Sequence, residues 1–215
     1  MKKIASLILA AVLVAALAGC GNTSSMETEK VYDSIALSAE IPNVYDSGSY
    51  MVDVNNPAEV VGWGDYVFLA RVDSELRTEY TNLRQNEDGT ITGKPYTVYS
   101  ITVLKNLKGN LRENESIEFF KHGGVNYDGR SISLLEGDQL LESGKCYILI
   151  AAAESDGRLG QGMPNSAIEV NALTASQVDT YSTDAEYADY SEYTQNEVAC
   201  ERTRYHSTYE DSSES

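Results

Sequence analysis

Hydrophobic and polar positions divide the chain into four stretches of different character. Residues 4–18 are apolar except for Ser6 and follow Lys2 and Lys3. Crossing a bilayer takes about 20 apolar residues, so a cationic head on a body this short predicts a secretory signal over residues 1–19. Residues 20–56 are polar and irregular and predict a tether. Within it, Val44-Tyr45 and Tyr50-Met51-Val52 are short apolar pieces suited to docking as edge segments. Residues 57–172 carry strand-like patterning, and residues 173–215 form an acidic, tyrosine-rich tail.

The third stretch opens with Asn56-Pro57-Ala58-Glu59, which predicts a helix start. Asn accepts bonds from the unpaired first amides, and Pro is tolerated at the first helical position. Gly62 and Gly64 predict its end within two turns. Tyr66, Phe68, Ala70 and Val72 then share one face by alternation, with Arg71, Asp73 and Glu75 on the other. Residues 78–93 are polar and include the turn signal Asn86-Glu87-Asp88-Gly89, which predicts a long hairpin tip. A strand over 95–104 places Tyr99, Ile101 and Val103 together. Ile117, Phe119 and Phe120 mark another strand, closed by His122-Gly123-Gly124.

Residues 125–144 read mostly as loop, with a short strand over 132–135. Residues 146–153 are apolar on both faces and predict a central, fully buried strand. Asp156-Gly157 turns the chain into weaker strands over 158–161 and 167–170. The fold class expected is therefore mainly β: a small antiparallel β-barrel, OB-like, with a short helix at its N-terminal edge. Closure removes exposed strand edges. A two-sheet sandwich is the alternative.

From Gln177 onward the tail has no Leu, Ile or Phe, and it holds ten acidic residues against Arg202 and Arg204. So little apolar surface argues for disorder. Tyr187, Tyr190 and Tyr193, three apart, would line one side of a helical stretch if one formed.

Charge narrows the partners. The chain has 16 basic and 33 acidic residues, a formal net charge of −17. Loss of Lys2 and Lys3 with the signal leaves 14 against 33, about −19. A field of that sign opposes phosphate backbones and anionic headgroups, which excludes nucleic acid as a partner. Cations, basic peptides and simple solvation are compatible with it.

The signal ends in Leu17-Ala18-Gly19-Cys20, which resembles the lipobox of bacterial lipoproteins. The resemblance implies cleavage before Cys20, lipidation of the Cys20 thiol, and anchorage at the extracytoplasmic face of the cell membrane. Each buried methylene contributes roughly 0.8 kcal/mol, so two acyl chains hold a protein stably where one does not. Outside the cytoplasm, Cys146 and Cys200 are candidates for a disulfide. Two unrelated thiols are the alternative, because Cys146 sits in the strongest apolar strand and Cys200 in the polar tail.

A further likeness lies in the order of the central motifs. Gly64-Asp65-Tyr66-Val67 opens a strand ending at Arg71-Val72, and Tyr96-Thr97-Val98-Tyr99 leads to Val103-Leu104-Lys105-Asn106-Leu107-Lys108-Gly109. Glu115-Ser116-Ile117, Gly123-Gly124, Glu136-Gly137-Asp138 and Ser143-Gly144-Lys145-Cys146-Tyr147-Ile148-Leu149 follow. This resembles uncharacterised exported lipoproteins and cell-surface proteins of Gram-positive bacteria, which are in turn similar to five-stranded OB barrels of the netrin and metalloproteinase-inhibitor type. The resemblance covers about half the chain and implies a fold. The dense cysteine framework of the animal inhibitors is missing, so protease inhibition is not implied.

Chemistry is sparse. His122 and His206 are the only histidines, and HExxH, CxxC, GxSxG and Gly-rich Lys-Ser/Thr patterns are absent. No catalytic residue, metal or cofactor is expected. Asn126, Asp128 and Asp138 lie in loops and raise a weak calcium site as an alternative, without an EF-hand pattern. Glu136 and Asp138 as an acid and base pair lack any sign of a pocket. The expected function is a non-enzymatic, membrane-tethered module binding a peptide, protein or glycan, with the 78–93 and 123–144 segments as rims. An envelope enzyme with a non-standard site is the alternative, and scarce helix argues against a two-lobed solute receptor.

Overall fold

The computed structural model describes residues 41–170 and 184–212, together with the backbone of residues 32–33. Ten strands and two helices follow in order among the described residues: β1 (Tyr32–Asp33), β2 (Asn43–Asp46), α1 (Pro57–Trp63), β3 (Tyr66–Gln85), β4 (Ile91–Lys108), β5 (Ser116–His122), β6 (Gly124–Val125), β7 (Ile132–Leu135), β8 (Cys146–Ala153), β9 (Leu159–Gln161), β10 (Ala167–Val170) and α2 (Ala185–Gln195).

Five of these strands close into a ring. β3 pairs with β4, β4 with β5, β8 with β9 and β3 with β8, all antiparallel, while β5 and β9 run parallel. Numbered along the chain, the five strands run 1-2-3-5-4 and back to 1. This is the Greek-key barrel of the OB type, as expected, with one parallel pair at the closure. β2, β7 and β6 form a separate three-stranded sheet. The Val44-Tyr45 piece thus docks at an edge, parallel to β7, with both side chains exposed.

Alternation fills the barrel. Tyr66, Phe68, Ala70 and Val72 of β3 meet Tyr99, Ile101 and Val103 of β4, Ile117 and Phe119 of β5, and Tyr147, Leu149 and Ala151 of β8. The outward residues of β3 and β8, Val67, Leu69, Ile148 and Ile150, belong to a second cluster. Val60 and Val61 of α1, Tyr190 of α2, Met163 and Val170 complete that cluster, and Tyr50, Val52 and Val54 pack on it. β8 is therefore buried on both faces, which explains its unbroken apolar run.

Several elements depart from expectation. The 78–93 segment is mostly strand: β3 and β4 continue as a ribbon, and the tip is confined to residues 86–90, where Asn86 N–H donates to Thr90 O at 2.8 Å. Polar side chains are tolerated there because the ribbon leaves the core. Irregular register between Val72 and Ser74 places Glu75 opposite Tyr99, on the inner side instead of beside Arg71 and Asp73. α1 starts as predicted, with Asn56 Oδ1 accepting from Ala58 N at 3.2 Å, but runs through Gly62 to Trp63. Gly62 is there for closeness: a Cβ on it would lie 1.8 Å from Val198 O.

The tail is the largest correction. Residues 184–212 are ordered against the barrel instead of disordered. α2 begins at Asp184, whose carboxylate accepts from Glu186 N at 2.9 Å and Tyr187 N at 3.3 Å. Tyr187, Tyr190 and Tyr193 face the second cluster. Tyrosine rings supply the apolar area that the missing Leu, Ile and Phe would otherwise provide. Arg204 then binds the end of α1, donating to Gly62 O at 2.7 Å, Gly64 O at 3.0 Å and Asp65 Oδ1 at 2.7 Å. Arg202 lies 2.7 Å from Asp65 Oδ2, with its guanidinium carbon 4.9 Å from the Trp63 ring centre. Two cations thus hold the carbonyl end of a helix, where the backbone dipole favours them.

Candidate functional site

The covered side of the barrel leaves the other side open, and there alternation places an unusual set of side chains outward. Arg77 of β3 lies opposite Val98 of β4, Val98 opposite Phe120 of β5, and Phe120 opposite Gly160 of β9. One step along, Glu79 lies opposite Tyr96. Paired residues share a face, so these rows form one continuous surface. Phe120 lies flat across β9 because Gly160 has no side chain: a Cβ there would come within 2.3 Å of the ring.

The loop from β8 to β9 walls this surface. Gly157, at a φ of +82°, lets it turn tightly, and Glu154 N–H and C=O frame it through Arg158 O at 2.8 Å and Gly157 N at 2.8 Å. Between loop and strands lies an open groove of about 320 Å³, lined by Glu79, Thr81, Tyr96, Phe120, Glu154, Ser155, Asp156 and Arg158. The Tyr96 and Phe120 rings meet edge to face at 5.9 Å, and the His122 ring packs on Tyr96 at 5.1 Å. The Arg158 guanidinium lies 5.3 Å from the centre of Phe120.

Ion pairs fix the charged groups. Arg158 donates to Glu79 at 3.0 Å and to Asp156 at 2.8 Å. Arg77 bridges Glu79 and Glu118, with its shortest contacts at 2.6 and 2.8 Å. The Arg77 bonds hold the Glu118 carboxyl below its usual range despite some desolvation. Such partly exposed pairs contribute little to stability but set geometry. Burial raises the Tyr96 hydroxyl pKa, and the nearby Glu154 carboxylate adds to the rise against a bond from Thr81. An aromatic floor with carboxylates around it suits stacking and charge recognition.

Below the groove, the barrel mouth is polar. Lys121 is fully buried and pairs with Asp138 at 2.5 Å. Burial lowers the amine pKa, and Asp138 opposes that shift. Thr97 and Gln161 flank Lys121 in register, and Thr97 Oγ1 donates to Gly123 O at 2.8 Å. This layer closes the barrel interior under the aromatic platform.

The residues expected from sequence are distributed differently. Leu17, Ala18, Gly19 and Cys20 lie outside the described residues. Cys146 and Cys200 are not joined by a disulfide. Cys200 O accepts from the Arg204 side chain that holds Gly62 O, at the α1 end beside Ile150, while Cys146 opens the same strand. Asp138 faces Lys121, whereas Asp128 accepts from Arg130 N and Asn126 bonds Ser131, so the three do not converge. Among the described residues, no group of three His, Cys, Asp or Glu side chains is placed to hold a metal.

Of the two expected rims, the 78–93 segment supplies Glu79 and Thr81, while the second wall is residues 154–158 and not 123–144. The latter segment instead builds the small β2-β7-β6 sheet. The signal for the groove was Phe120 beside Phe119: adjacent aromatics in an alternating strand place one ring outside the barrel. No known protein-family model matches the chain, and no curated protein matches it either.

Proposed function

We propose that this protein is a membrane-tethered lipoprotein whose barrel binds a peptide, protein or glycan ligand in the groove over β4 and β5, without catalysis. The observation carrying this reading is the Tyr96–Phe120 platform, held open to solvent by Gly160 and walled by residues 154–158. OB barrels bind extended ligands on the face of their second and third strands, between the loop joining strands one and two and that joining four and five. Here those strands are β4 and β5, and the loops are residues 86–90 and 154–158. Fold alone does not decide function, so the argument rests on what lines the groove. Aromatic rings there give rigid contact area at small entropic cost.

The anchor follows from Cys20 and the short apolar run before it. In cells, labelled palmitate should enter the wild-type protein and not Cys20→Ser; equal labelling would contradict the anchor. The groove is tested by titrating the purified full chain with short basic peptides and with tetra-N-acetylglucosamine. At least one probe should bind saturably to wild type and not to a Tyr96→Ala, Phe120→Ala double variant of unchanged melting temperature. Binding that ignores the double substitution would place the site elsewhere.

A further inference from the structure

Resting on that reading, we infer that the groove recognises a cationic side chain of a basic peptide segment, and that Arg158 occupies the cation's place in the free protein. Arg158 sits where an incoming guanidinium or ammonium would sit: over the Phe120 ring at 5.3 Å, with Glu79 at 3.0 Å and Asp156 at 2.8 Å. A ring face below and carboxylates at the sides form a complete receptor for a planar cation. Its present occupant is held on a short exposed loop, with half of its side chain in solvent, so it can swing out.

The groove retains unbalanced charge even with Arg158 in place. With Arg77 and its partner Glu118 counted in, four carboxylates, Glu79, Glu118, Glu154 and Asp156, face two guanidiniums, Arg77 and Arg158. Glu154 and Tyr96 line the groove together, a second position where a cation would find a carboxylate and an aromatic ring. The carboxylates are not gathered closely enough for a metal ion. An organic cation, which brings its own bulk and apolar stem, spans such a spacing. The formal charge of −17 draws basic segments in and repels acidic ones.

A neutral glycan would stack on the same rings and gain from Arg158 as a hydrogen-bond donor, so the two ligand classes predict opposite effects of removing it. The probes are the peptide Gly-Arg-Gly-Arg-Gly, its norleucine analogue and tetra-N-acetylglucosamine, each titrated calorimetrically into the full chain. The arginine peptide should bind and the norleucine peptide should not. Arg158→Ala should tighten arginine-peptide binding by roughly three- to tenfold, because the internal competitor is gone. Glu154→Gln should weaken it by a similar factor, and Phe120→Ala should abolish it. Weaker or unchanged arginine-peptide binding in Arg158→Ala overturns the inference. If tetra-N-acetylglucosamine binds in a Phe120-dependent way and the arginine peptide does not, the inference fails while the groove reading stands. Groove-independent behaviour of every probe overturns both.

Discussion

The two outer faces of this barrel share β3 yet solve opposite problems. Over β8 and the first residues of β3, the outward side chains Val67, Leu69, Ile148 and Ile150 are aliphatic, and α1, α2 and residues 50–54 cover them. Over β5 and the middle of β4, the outward positions are Tyr96, Val98, Ser100, Glu118 and Phe120, with Tyr209 of the tail beside Val98 and Phe120. Burial fixes the first face by area removed from water. Ion pairs between β3, β5 and the 154–158 loop and a single glycine fix the second, leaving its aromatic area available. A face that keeps its rings uncovered at the expense of stability is the one to examine for binding.

Substitutions should separate the two faces. The largest effect belongs to Ile148→Ala on the covered side, where truncation removes buried contacts and leaves a cavity under the helices. A loss of about 2–5 kcal/mol in denaturant unfolding is expected, with probe binding intact wherever the variant is folded. A loss under about 1 kcal/mol would show that the helices cover this face only loosely. Next comes Arg204→Ala, which frees the α1 carbonyls and removes one of the tail's anchors beside α1. It should cost about 1–2 kcal/mol and raise amide exchange across α2. Unchanged exchange there would mean that the tyrosines and the remaining tail contacts, Arg202–Asp65 among them, hold α2 without Arg204.

The smallest effect lies beside the open face and depends on pH. Burial, then Lys94 and Lys121, lower the His122 pKa, with Asp46 and Asp138 opposing. The unfolded chain therefore takes up a proton at a higher pH than the folded one. This contribution is fully present above about pH 6.5 and declines as pH falls toward the folded value. Relative to His122→Gln, wild type should lose stability on acidification through that window, measured as a shift in denaturant midpoint. Parallel midpoint curves for the two proteins would mean that the imidazole is solvated.

Much of the barrel was legible because period-two alternation and turn residues report directly on strand faces: Tyr99, Ile101 and Val103 point inward, and β8 is buried on both sides. The tail was misread because tyrosine counts poorly as core material until a groove exists to receive its ring. Tyr190 finds that place only between α1 and β10, which are over a dozen residues away in sequence. The hairpin tip over 78–93 came out too long because polar strands outside a core carry no apolar period. The groove was least visible, since it joins Glu79, Tyr96, Phe120 and Arg158 through cross-strand register that bulges in β3 alter. Alternation alone hinted at it, through the paired Phe119 and Phe120.

The most direct test is a hydrogen-exchange footprint of the full chain saturated with whichever of the arginine peptide or tetra-N-acetylglucosamine binds. Protection should appear in residues 79–81, 96–98, 118–122 and 154–158, with α1 and α2 unchanged. Protection centred on α1 and α2, or spread evenly over the barrel, would contradict the division of the surface into a covered face and a binding face.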